Sequence, residues 1–135
     1  MKAILYHQYG APEVMELSEV DTPEPKAHEI RIRVKATTAT VADWRIRKAE
    51  PFIGRFVNGL FRPRRSKILG VELAGVVDKV GKEVSLFNEG DAVFAATGID
   101  MGAYAEYRCL SELGKIALKP EQLSFEEAAA LPIGG

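Results

Sequence analysis

Residues 29–36, "EIRIRVKA", set Ile30, Ile32 and Val34 against Arg31, Arg33 and Lys35. Successive side chains of a strand point to opposite faces, so this alternation places all three aliphatics on one side. The chain must therefore build a sheet with one dry face and one wet face. Neighbouring segments repeat the signal: "KAILYHQ" (2–8), "EVMELSEV" (13–20), "VELAGVVDKVG" (71–81), "GAYAEYRCL" (102–110) and "KIALKP" (115–120). In "EVSLFNEGDAVFAA" (83–96), a turn at Asn88–Gly90 precedes a strand carrying Val93 and Phe94. Many short strands separated by Gly and Pro turns predict a barrel or sandwich. Helices are predicted over 40–50 and 124–132. In the second, Ser124 stands three residues before Glu127, the spacing of a capping box, and Pro132 stops or kinks it. The expected class is mainly β with short helices.

One stretch breaks the apolar pattern. "KILGVELAGVV" (67–77) carries Glu72 between Gly70 and Gly75, inside an otherwise apolar run. A carboxylate there costs free energy unless it is partnered. A basic side chain or backbone amides are expected beside it. The glycines read as backbone devices, Gly70 for a tight entry and Gly75 for close packing. Upstream, "PFIGRFVNGLFRPRRSK" (51–67) is irregular but aromatic. A loop of that length either caps a barrel end or walls a substrate pocket.

With 135 residues the chain fits one domain. Lys plus Arg (18) nearly balances Asp plus Glu (19), so charge gives no reason for a nucleic-acid or membrane partner. No apolar stretch approaches a membrane span, and "MKAILYHQYG" is too poor in apolar residues for a signal peptide. A cytoplasmic location is the default expectation. Cys109 is the single cysteine and His7 and His28 the two histidines. An intrachain disulfide and a four-cysteine zinc site are both excluded by that count.

Collinearity then adds what no single motif carries. "EIRIRVKATTAT", "ADWRIR", "ILGVELAGVVDKVGKEV", "FNEGDAVFA", "GAYAEY" and "LSFEEAAALP" occur in one order. That order resembles the N-terminal, GroES-like domain of the medium-chain dehydrogenase/reductase superfamily, over essentially the whole chain. More narrowly it is similar to the zinc-independent, quinone-oxidoreductase-like branch, often labelled NAD(P)-dependent alcohol dehydrogenases. The resemblance implies a GroES-like, partly open β-barrel over residues 1–135, forming the substrate side of an oxidoreductase. It implies NADPH or NADH in the full-length enzyme, a small-molecule substrate and a homodimer of that enzyme.

In zinc-containing relatives a cysteine and a histidine hold the catalytic metal, at positions that the resemblance places on Thr40 and Val71. Threonine is a poor zinc donor and valine has no donor at all, so no metal is expected. Charge on a reacting oxygen must then be stabilised by hydrogen-bond donors or solvent, which suits quinones and activated C=C bonds beside a carbonyl. No catalytic residue is assigned. The candidates for the substrate and cofactor cleft are Thr40, Asp43, Arg47 and Glu72. Thr40 also fits a helix N-cap. Asp43 and Arg47, four apart, also fit a local ion pair. Arg45 stands where relatives carry a tyrosine. Cys109 reads as a small buried hydrophobe, and Tyr104 and Tyr107 as residues on opposite strand faces.

A dinucleotide enzyme needs a Gly-rich strand-to-helix turn to hold the pyrophosphate. No G-x-G-x-x-G occurs here. A Rossmann cofactor domain is therefore expected to follow, and the chain alone is expected to be inactive. The alternative is a non-enzymatic GroES-like binding or interaction module.

Overall fold

The computed structural model describes residues 1–40, 47–48 and 68–134. Seven strands run through them: β1 (Lys2–Tyr6), β2 (Met15–Glu19), β3 (Glu29–Thr37), β4 (Glu72–Val80), β5 (Ala92–Ala96), β6 (Tyr107–Ser111) and β7 (Ile116–Leu118). Two short helices, α1 (Phe125–Ala129) and α2 (Leu131–Gly134), end the described chain. β1 and β2 form an antiparallel pair. The other five strands make one antiparallel sheet in the order β6-β3-β4-β5-β7. Its edges, β6 and β7, do not pair, so the barrel stays open along that seam. The expected fold class holds.

The alternation in β3 does what its chemistry demands. Ile30 and Ile32 are fully buried, and they join Leu73, Val77, Val93 and Leu110 in the main core cluster. On the outer face Arg31 forks onto Asp78, with Nε and Nη2 donating at 3.0 and 3.1 Å, and stacks over the Tyr107 ring. A planar, bidentate pair of this kind fixes the neighbouring strand as well as its charge. The β3–β4 ladder shifts register twice, the second time between Val34 and Ala36. Gly75 lies opposite Val34 in that ladder, and a Cβ there would sit 2.2 Å from the Arg33 carbonyl oxygen. Close backbone approach, as expected of this glycine, is thus a steric requirement.

Several boundaries differ from expectation. The 13–20 segment begins as a 3-10 turn (Pro12–Val14), because Pro12 lies in its first turn with φ preset. Residues 102–106 are not strand: Gly102 has φ +98 and only Ala105 makes an isolated bridge, to Ala3. The Asn88–Gly90 turn is present, closed by the Asp91 amide donating to Asn88 O at 3.1 Å. The C-terminal helix is two helices, since Pro132 has no amide to continue α1 and instead sits in the first turn of α2. The predicted helix at 40–50 lies outside the described residues except for Arg47 and Lys48, which are helical. The 51–67 loop lies wholly outside them.

Candidate functional site

Glu72 opens β4 and is 3 % exposed. Its side chain is held at both oxygens. The Thr38 hydroxyl donates to Oε1, and the Ile133 amide donates to Oε2 at 2.9 Å. The Thr37 hydroxyl adds a 2.7 Å bond to the Glu72 carbonyl oxygen. The expected backbone amide is there; a basic side chain is not among the described partners. A hydroxyl does that work instead, because Thr37 closes β3 opposite Leu73 at the start of β4 and Thr38 follows it directly. The carboxylate ties β3, β4 and α2 together, three segments far apart in sequence.

Val71, one residue earlier, is 6 % exposed and packs with Tyr6, Leu69 and Met101. The position that a metal-binding relative would give to histidine is thus part of an apolar cluster. Gly70 allows this entry: its φ is +107, and a Cβ would lie 2.6 Å from that of Ala103. Behind it, Thr97 donates its hydroxyl to Gly70 O at 2.9 Å and its amide to Val71 O at 2.8 Å. Val71 itself therefore offers a metal no donor. Among the described residues no group of three or more His, Cys, Asp or Glu side chains converges as a metal site.

Arg47 turns to the loop after β1, with Nε donating to Gly10 O at 3.2 Å and its own carbonyl accepting the Gly10 amide at 2.9 Å. Asp43 lies outside the described residues, so the pairing expected of it with Arg47 does too. Thr40 is half-buried two residues beyond Thr38. Thr38 itself escaped sequence reading, although a Thr-Thr pair closing a strand opposite a buried glutamate was the available signal. Tyr104 also meets this corner, its hydroxyl donating to Thr38 O at 3.1 Å.

No pyrophosphate cradle is formed by the described helices. The Ser124 hydroxyl accepts the Glu127 amide at 3.1 Å, and the Glu127 carboxylate accepts the Ser124 amide at 3.2 Å. This is the reciprocal capping box expected. With Glu126 and Glu127 in its first turn, the start of α1 repels an anion instead of binding one.

A cavity of about 690 Å³ lies along the open seam, bordered by β6, the start of β7, the Thr97–Met101 turn, Val71 and α2. Arg108 is one of its walls, and Cys109 is another. Burial pushes the Cys109 thiol up to about 11, so it is protonated and inert at neutral pH, as expected of a buried hydrophobe.

Residues 26–121 match the family model of the alcohol dehydrogenase GroES-like domain. The chain belongs to that family. It is 37% identical over 135 residues to a quinone oxidoreductase from Pseudomonas aeruginosa, an alignment covering 99% of this chain and 38% of that protein. The quinone oxidoreductase from Coxiella burnetii superposes with a TM-score of 0.87 at 35% identity, covering 100% of this chain and 42% of that one. An Escherichia coli quinone oxidoreductase solved with NADPH gives 0.79 at 32% identity, covering 97% of this chain and 37% of that one. The chain thus spans well under half the length of such relatives. Together they place this GroES-like domain on the quinone-oxidoreductase-like branch of the medium-chain dehydrogenases/reductases.

Proposed function

We propose that this GroES-like domain is the substrate side of a zinc-independent, NAD(P)H-dependent oxidoreductase that reduces quinones or activated C=C and carbonyl compounds. The observation that carries the reading is Val71, a residue without a donor, packed into an apolar cluster where a metal ligand would have to stand. The quinone oxidoreductases among its relatives, one of them solved with NADPH, support the substrate and cofactor class. The nicotinamide, when bound, supplies the hydride.

This chain's residues contribute positioning. Glu72 accepts from Thr38 and from the α2 backbone, which fixes the end of β3 and with it the approach to Thr40. Both carboxylate oxygens of Glu72 are engaged, so it acts as a structural tie and not as a general base. Thr40, Asp43 and Arg47 remain the proposed cleft residues. Thr40 offers a hydroxyl donor where no metal polarises the reacting oxygen.

The test has two arms. The isolated chain titrated with NADPH in a calorimeter should give no saturable heat; tight binding would sink the division of labour proposed here. A polypeptide that joins this chain to a Rossmann domain should oxidise NADPH when given quinones or enones, and a chelator should leave its rate unchanged. Turnover of simple alcohols only on addition of zinc would overturn the reading. Absence of all turnover, with binding of a partner protein, would favour an interaction module instead.

A further inference from the structure

Arg108 occupies a phase of β6 otherwise given to apolar side chains. Its register partner is the fully buried Ile32, and Leu110, two residues on, lies in the main core. A guanidinium in that place needs partners. It has two, both neutral: Nε donates to Met101 O at 2.8 Å and Nη1 to Cys109 O at 2.7 Å. Among the described residues no carboxylate reaches ion-pair distance of it, and Nη2 is left without a hydrogen-bond acceptor. Asp100 and Glu29 act on it only from farther away. Burial accordingly pulls its pKa below the ordinary arginine value.

The backbone beside it is strained to match. Met101 is fully buried with φ +52 and ψ −138, a conformation uncommon outside glycine. At Gly102, φ is +98 and a Cβ would stand 2.8 Å from Arg108 Nε. Such conformations persist only where the surroundings over-determine them, and they cluster at binding sites. Here they fix a cation, one end of its fork unengaged, at the wall of the seam cavity. That cavity, about 690 Å³, has the size of a small-molecule pocket. Its apolar walls include Val71, Leu110, Ile116 and Ile133. Of the bordering carboxylates, Glu29 already accepts the Lys26 amide at 2.9 Å, and Asp100 has an interaction of its own.

We infer that the seam cavity binds an apolar carboxylate, a small aromatic or aliphatic acid, with its carboxylate on Arg108 and its hydrocarbon against Val71, Leu110, Ile116 and Ile133. The inference concerns binding alone and stands whether or not the domain serves hydride transfer. The test is titration of the isotope-labelled chain with naphthoate, followed by the Arg108 Nε–H resonance and by calorimetry. Naphthylmethanol serves as the neutral isostere and inorganic phosphate as the anion without hydrocarbon. Naphthoate should shift the Arg108 resonance saturably and bind about tenfold or more tightly than either control, because charge-assisted pairing and apolar burial act together. Arg108→Lys should weaken binding and Arg108→Met should abolish it. Since Arg108→Met also frees the Met101 carbonyl and can unfold the turn, the three-ligand comparison on the native chain decides. Absence of saturable binding, an unmoved Arg108 resonance, or equal affinity for naphthoate and either control would overturn the inference.

Discussion

A buried carboxylate is only as stable as its donors. Glu72 accepts from one hydroxyl and one amide, and removing it strands both inside the protein. Glu72→Ala should therefore cost about 2–3 kcal/mol in urea unfolding, whereas Glu72→Gln, which keeps an acceptor for Ile133, should cost about half as much. A loss below about 0.5 kcal/mol for the alanine variant would show that the tie is not structural. Cys109 makes the opposite case, a reactive atom silenced by burial. With its pKa near 11 against about 8.5 for an exposed thiol, alkylation at pH 8 should be on the order of 100-fold slower than in unfolded chain. Comparable rates in the native and denatured protein would contradict the placement of the thiol.

Elements are fastened by local devices of known strength. The capping box at α1 predicts that Ser124→Ala destabilises by about 1 kcal/mol, read from the thermal or urea transition. At the far end of the sheet, Glu112 clips two loops together. Its Oε1 accepts the Ser85 and Leu86 amides at 3.0 and 3.1 Å, and His28 Nδ1 stands 3.6 Å from its Oε2, while Nε2 of the same ring is 2.8 Å from Glu83. The Ser85 amide, with that of Leu86 and His28 beyond it, holds the Glu112 carboxyl below its ordinary range, against the upward push of burial. A depressed carboxyl stabilises the fold above its unfolded pKa, about 4.3, and loses that contribution as pH falls through its lower folded value. The urea midpoint of the native protein should therefore exceed that of Glu112→Gln at neutral pH, with the gap closing on acidification below about pH 4. A gap independent of pH would show that the charge plays no part.

At the scale of the whole molecule, the open seam between β6 and β7 is the main fact that sets what this domain can do. It leaves a walled cavity beside an open sheet, and it brings residues from both ends of the strand order to one place. Gly75→Ala probes the curvature behind this: a Cβ against the Arg33 carbonyl oxygen should cost several kcal/mol, about 3 or more, and a neutral result would refute the close approach. Local pattern alone determined much here. The strands, the Asn88–Gly90 turn and the capping box follow from side-chain period and turn chemistry, which act within a few residues. Only tertiary structure decided who partners Glu72, that Pro132 restarts a helix, and that Arg108 stands inward beside a cavity. Those outcomes depend on register and on contacts between segments tens of residues apart, and no local pattern carries that information.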